Sequence, residues 1–201
     1  VAYPVAYKGS KSMAKEIASH LLKDKKLLPI VLPMVTDKDI LKKAWEIATN
    51  QLIEAMDSYT KVAFIAQGDP SLYSTCSYLI YYLTVNQVGF EVKVIPGVNA
   101  FNVAAALLKL PLSLQKEALI VKPVPEEPFK LDELLDEFII SNQVLVLLKL
   151  GSRWLWVKES IKKKNLLDET FFAHRIGFND EVIVKAKDVK LKEISYFSLL
   201  I

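Results

Sequence analysis

The sequence predicts an α/β protein of two domains, and three observations carry that prediction. An apolar run at 61–67 stops at Gly68-Asp69-Pro70-Ser71, and a second run at 90–95 stops at Pro96-Gly97-Val98-Asn99. Each reads as a strand, a tight turn and a helix start, because Gly supplies backbone freedom and Asp69 or Asn99 can cap the helix after it. Pro70 falls where a first-turn proline costs no hydrogen bond. Third, strand-like and helix-like stretches alternate through the first half, whereas the second half closes in short runs spaced for hairpins. The domains are expected at 1–113, with a parallel sheet, and at 114–201, with a mixed sheet. Two turns side by side at the carboxyl ends of parallel strands form the crevice in which open α/β sheets bind small molecules, so the chain is read as an enzyme.

The elements run in order from the start of the chain. Val1-Ala2-Tyr3-Pro4 looks like the end of a strand, and Ser10 or Ser12 can cap a helix with Met13, Ile17 and Leu21 at spacing four. A short strand at 28–32 is closed by Pro33. Thr36 and Asp39 make an acidic version of a capping box, opening a helix with Ile40, Ala44, Ile47, Ala48, Leu52 and Ala55 on one face. The strand at 62–66, a helix from Ser71 to about Leu83, the strand at 91–95 and a helix at 100–109 complete the alternation, which Pro111 ends. A strand at 118–121 is broken by Pro123, Pro125 and Pro128, a stretch expected to be irregular. An amphipathic helix with Leu131, Leu134, Leu135, Phe138 and Ile139, a buried strand at 144–150 and a helix at 154–163 come next. Short strands are expected at 171–174, 182–184 and 196–201.

At 201 residues and 52% hydrophobic, the chain can fill a substantial core. A net charge of +3, with 24 lysines alternating with acidic residues, argues for charged helix faces and against nucleic acid as a partner. No apolar run approaches the ~18 residues that cross a bilayer, so a soluble, cytoplasmic protein without membrane contact is expected. The single Cys76, among Leu72, Leu79 and Ile80, reads as a small core residue in a reducing compartment. His20 and His174 are too few to build a metal site with it, and no metal is expected. Neither a dinucleotide G-x-G-x-x-G nor a lysine-bearing phosphate loop occurs.

The stretch Gly68-Asp69-Pro70-Ser71-Leu72-Tyr73-Ser74-Thr75, continuing to Leu79, together with Pro96-Gly97-Val98-Asn99-Ala100-Phe101 and Leu110-Pro111-Leu112, resembles the tetrapyrrole methylase family. Lys149-Leu150-Gly151-Ser152-Arg153, the 175–181 loop Arg-Ile-Gly-Phe-Asn-Asp-Glu and the closing Tyr196-Phe197-Ser198-Leu199-Leu200-Ile201 extend the likeness over nearly the whole chain. It is strongest to the members that methylate carbon 20 of precorrin-2 or cobalt-factor II in cobalamin synthesis. The resemblance implies a class III methyltransferase fold, two α/β domains with the active site in the cleft between them, and a homodimer. It also implies S-adenosylmethionine as methyl donor and a small-molecule tetrapyrrole as acceptor. Family members begin with a further strand and a glycine-rich loop before Val1, so that wall of the site is expected to be missing from this chain. Rival readings are a family member acting on another tetrapyrrole position, a diphthine synthase acting on a modified histidine, and a non-catalytic binding module.

By position in the shared motifs, Gln67, Gly68, Asp69 and Leu72 match a first cofactor loop, Asn99 and Ala100 a second, and Leu148, Lys149 and Gly177 contacts from the second domain. Asp69 reads either as a cofactor partner or as a plain helix cap. Arg153 and Arg175, the only arginines, each follow a strand. Arg pairs bidentately with carboxylates, and the implied acceptor carries eight, so the two are candidates for substrate contact with structural ion pairs as the alternative. His174 is read as structural or as facing the cleft. Tyr73, Tyr3 and Tyr7, with Asp69, are candidates for a proton acceptor, and no catalytic base is assigned. Trp45, Trp154 and Trp156 read as interface aromatics or as core.

Overall fold

A computed structural model of the chain describes residues 1–86, 89–141 and 143–201. The chain divides into two compact units, Val1–Asn99 and Ala100–Ile201.

In the first unit, β1 (Ala2–Val5) pairs in parallel with β2 (Leu28–Val31), in the register Ala2 to Leu28 and Val5 to Val31. Between them run a short helix, α1 (Met13–Ile17), capped by the Ser12 hydroxyl, and one 3-10 turn, Ser19–Leu21. The long helix α2 (Lys38–Ser58) is capped by Asp37, whose carboxylate accepts from the amides of Asp39 and Ile40. Asp37 takes this role in place of the expected Thr36–Asp39 box, because a carboxylate one residue nearer the helix reaches two orphan amides at once. Ala48 and Leu52 of α2 and Leu79 and Leu83 of α3 (Cys76–Val85) bury against Ala2 and Ile30 to form this unit's core. Cys76 lies in the buried set, and burial pushes its thiol pKa up.

The parallel arrangement agrees with expectation, but the two runs before the turns are not full strands. The first keeps a single parallel bridge, Ala2 to Phe64, with the Ala2 amide donating to the Ala63 carbonyl at 2.8 Å and the Ile65 amide to that of Ala2 at 2.9 Å. The second, 90–95, has no assigned strand, and Val92, Val94 and Ile95 are exposed. Alternation of apolar and polar residues describes which face a strand would bury, whereas a strand exists only through a hydrogen-bonded neighbour. Here an opening of about 1550 Å³ lies against both runs, lined by Val62, Phe64, Phe90, Val92 and Val94 among others.

The second unit opens with α4 (Ala100–Leu108) and holds a five-stranded mixed sheet in the order β3-β4-β7-β5-β6. The strands are β3 (Leu119–Pro123), β4 (Val144–Leu148), β5 (Phe171–His174), β6 (Val182–Lys185) and β7 (Ser198–Leu200). β3 and β4 are parallel, and the remaining pairs are antiparallel. Helices α5 (Pro128–Ser141) and α6 (Trp154–Lys163) bury Leu131, Leu135, Val157 and Ile161 against Leu145, Leu147, Phe172 and Leu200.

The expected irregular proline stretch shrinks to 124–127. Pro123 ends β3 and Pro128 begins α5, both places where a missing amide is tolerated. Trp154 is core, Trp156 packs on that core half-buried, and Trp45 stacks on Tyr78 at 3.8 Å. No helix among the described residues is long and apolar enough to cross a membrane.

Candidate active site

The expected helix from Ser71 does not begin there: residues 70–75 are turns, and α3 starts at Cys76. Asp69 is therefore not the cap of that helix. Its Oδ1 accepts from the Ser71 amide at 2.8 Å and from the Ser71 hydroxyl, while its Oδ2 reaches across to the Gly97 amide, also at 2.8 Å. One carboxylate thus ties the first turn to the second. The Ser71 hydroxyl bond first, then the Gly97 and Ser71 amides, hold the Asp69 carboxyl below the usual carboxylate range.

The two glycines serve different purposes. Gly68 adopts φ +72°, a left-handed conformation costly for other residues. Gly97 is required by space, since a Cβ there would stand 2.3 Å from the Gly68 carbonyl oxygen and 2.9 Å from its carbon. The sequence signals backbone freedom at both, whereas Ser71 and Gly97 as the donors to Asp69 emerge only with the fold. Gln67, Gly68 and Ala100 are exposed, Leu72 and Asn99 half-buried. Tyr73 is exposed at φ +51°, Tyr7 is 68% exposed, and Tyr3 is buried with the Lys15 ammonium 5.2 Å from its ring centre. Tyr3 is thereby the least available of the three as a proton acceptor.

In the second unit the register places the ends of β3, β4 and β5 and the start of β7 at one end of the sheet. The segment before β7 anchors the loops there: the Arg175 amide donates to the Phe197 carbonyl at 2.9 Å and the Leu150 amide to the Ser198 carbonyl at 3.2 Å. The Leu148 carbonyl accepts from the Val124 amide at 2.8 Å, which ties in the 124–127 loop. Lys149 has φ +64° and Arg175 φ +48°, two non-glycine residues held left-handed at this rim. Leu148, Lys149, Arg153, Arg175 and Gly177 therefore lie on β4 and on the loops at this one end of the sheet.

Both arginines have carboxylate partners. Arg153 Nη2 donates to both Glu126 oxygens at 2.6 Å, and Nη1 donates to the Lys149 carbonyl at 3.3 Å. Arg175 Nε lies 2.8 and 2.7 Å from the two Asp180 oxygens, and its guanidinium sits 4.5 Å from the centre of the Phe178 ring. The Arg175 hydrogen bond, foremost, holds the Asp180 carboxyl below its usual range. Gly177 is exposed at φ +85°, its amide donating to Glu181 at 2.9 Å. Asp180 and Glu181 stand in the same short loop as Arg175, a signal the sequence offered, whereas Glu126 is 27 residues from Arg153 and offered none.

His174 is structural. Its Nδ1 lies 3.0 Å from the Ser198 oxygen, and the Ser198 hydroxyl proton goes to the Ser195 carbonyl at 2.8 Å, so Nδ1 carries the hydrogen and donates. Burial, foremost, pushes its pKa down. An apolar cavity of about 260 Å³ lies at the opposite end of the sheet, lined by Leu135, Val144, Phe171 and Ile201, and brings no reactive side chains together.

A model of the family Tetrapyrrole (Corrin/Porphyrin) Methylases matches residues 2–191. A probable cobalt-precorrin-2 C(20)-methyltransferase of Methanocaldococcus jannaschii is 32% identical over 201 residues, covering 98% of this chain and 81% of that protein. The solved structure of CbiF, a cobalt precorrin-4 methyltransferase, matches with a TM-score of 0.67 at 16% identity, over 99% of this chain and 82% of that one. A uroporphyrin-III C-methyltransferase from Thermus thermophilus, complexed with S-adenyl homocysteine, matches at 0.55 and 16%, over 99% of this chain and 95% of that one. With the fold shared by these methyltransferases and the family's motifs lying on the two turns and the rim loops, the chain belongs to the tetrapyrrole (corrin/porphyrin) methylase family.

Proposed function

We propose that this chain is an S-adenosylmethionine-dependent methyltransferase that acts on the carbon-20 bridge position of precorrin-2 or cobalt-factor II in cobalamin biosynthesis. The observation that carries the reading is the Asp69 clamp, which fixes the two family turns against each other in a chain related over nearly its whole length to a protein of that named activity. At the first turn Gly68 is exposed and carries no side chain, so a ligand can meet its backbone directly. Such backbone groups fit the ammonium and carboxylate of the methionine end.

In this reading Gln67, Gly68, Asp69, Leu72, Asn99 and Ala100, with Leu148, Lys149 and Gly177, hold the cofactor, and Arg153 and Arg175 bind acceptor carboxylates. S-adenosylmethionine supplies, when bound, a methyl group on a sulfonium whose departure leaves a neutral thioether. The chain's own task is then positioning, holding donor and acceptor in line and excluding water, with little covalent chemistry required of side chains. A proton must leave the methylated acceptor. Tyr73 and Tyr7 are exposed enough to take part, and Asp69 is committed to its three donors.

We further propose a homodimer working in the cytoplasm on a small-molecule acceptor, with neither nucleic acid nor membrane as a partner. The modest net charge supports the exclusion of nucleic acid, and the family resemblance supports the dimer. We also propose domains of 1–113 and 114–201, in place of the division into compact units after Asn99, because Pro111 ends the helical run that follows the second turn.

The test is methyl transfer from labelled S-adenosylmethionine to precorrin-2 and cobalt-factor II, with uroporphyrinogen III and an elongation factor as rival acceptors. Label in the first pair alone supports the reading. Label in a rival assigns the other activity, and tight cofactor binding without turnover assigns a binding module.

A further inference from the structure

The two rim ion pairs share an unusual division of labour. Each arginine is held by the protein from a second side, Arg153 through the Lys149 carbonyl and Arg175 through the Phe178 ring. Each carboxylate is the more exposed member of its pair, Glu126 at 79% and Asp180 at 61% against 27% for either arginine, and apart from its arginine Asp180 is held only by its own amide. Glu126 sits on the four-residue loop between β3 and α5, and Asp180 on the loop between β5 and β6. The cations are therefore fixed and the anions are the movable partners. An exposed ion pair of this kind contributes little to stability, so exchanging its carboxylate for another costs little.

We propose that Glu126 and Asp180 are internal stand-ins for the carboxylates of the acceptor: they keep Arg153 and Arg175 in carboxylate-binding geometry and are displaced when a polycarboxylate binds. This rests on the reading that the two arginines contact the acceptor. It makes Glu126 and Asp180 specificity residues. An anion that presents one carboxylate must compete with them, whereas one that presents several displaces both pairs at once and gains from multivalency. The protein thus discriminates against singly charged carboxylates by having each arginine already occupied.

The expected sign is opposite to that of ordinary structural residues. Removing a stand-in must tighten binding of a polycarboxylate, whereas removing a positioning residue must weaken it. The probe is uroporphyrin, a stable octacarboxylate porphyrin, titrated by fluorescence against wild type, Glu126→Gln, Asp180→Asn and the double variant, at low and at 0.5 M salt. Glu127→Gln serves as the control, since Glu127 pairs with Lys130 and not with an arginine. The stand-in variants should each lower the Kd by roughly two- to fivefold, and the double variant by more. The gain should survive 0.5 M salt, at which a purely long-range charge effect is screened, and Glu127→Gln should show none.

Unchanged or weakened binding in Glu126→Gln and Asp180→Asn overturns the proposal, as does an equal gain in the control. Arg153→Ala and Arg175→Lys separate the two levels. If they weaken uroporphyrin binding while the carboxylate variants do not tighten it, the stand-in proposal alone fails; if they change nothing, the arginine reading fails and takes the proposal with it.

Discussion

Gly97→Ala probes the clamp between the two turns at its tightest point. An added Cβ would stand 2.3 Å from the Gly68 carbonyl oxygen, whereas ordinary contact begins near 3.4 Å, and both neighbours are backbone that cannot swing aside. The turns must therefore part by about 1 Å, enough to break the 2.8 Å bond from the Gly97 amide to Asp69. Because these turns are exposed and can separate without disturbing the core, the stability cost should stay near the low end of overpacking, about 1 kcal/mol.

The functional cost should be larger, since a misplacement of about 1 Å at a site whose work is positioning costs on the order of a hundredfold in kcat/KM. Calorimetry with S-adenosylmethionine and steady-state kinetics measure the effect, beside two companions. Gly68→Ala has room for its Cβ but a strained backbone, and Gly89→Ala meets nothing within 4 Å and should be neutral. If Gly97→Ala folds and binds the cofactor as wild type does, the approach of the two turns is not what forms the cofactor site.

The remaining predictions concern the clamp, the buried histidine and the core. Asp69→Ala removes the shared acceptor of Ser71 and Gly97 and should weaken S-adenosylmethionine binding roughly tenfold or more by calorimetry. Asp69→Asn, with a single acceptor oxygen, should fall between it and wild type. His174 has its pKa depressed in the folded state, so its contribution to stability is fully present above its ordinary value of 6.5 and is lost as pH falls through the folded pKa. Urea midpoints should accordingly drop on acidification below pH 6.5, and His174→Gln should flatten that slope. Leu131 is fully buried in the second unit's core, so Leu131→Ala should cost about 2–5 kcal/mol by denaturant unfolding.

The two turns, Gly68 and the mixed second sheet were legible because each depends on local chemistry: a strained φ, a proline position, short runs at strand period. The features that escaped depend on partners distant in the chain. The run at 90–95 alternates like a strand, yet no periodicity tells whether a neighbour will pair with it. Gly97 looked like Gly68, but its need arises from Gly68 itself, far back in the chain. Asp69 reads from sequence as a cofactor partner or a helix cap, and neither reading offers the Gly97 amide, 28 residues on, as one of its donors. The arginines read as candidates for acceptor carboxylates or for structural ion pairs; Asp180, five residues from Arg175, is a partner the sequence offers, whereas Glu126 comes only with the fold. Left-handed backbone at Tyr73, Lys149 and Arg175 had no composition signal, because none of these residue types favours it.

The central claim is the methylated position, and carbon-13 NMR reads it directly. With S-adenosylmethionine labelled in its methyl group and precorrin-2 or cobalt-factor II as acceptor, one new labelled carbon, bonded to carbon 20, is the expected result. A label at another ring carbon, or none in a protein that binds both compounds, would contradict it.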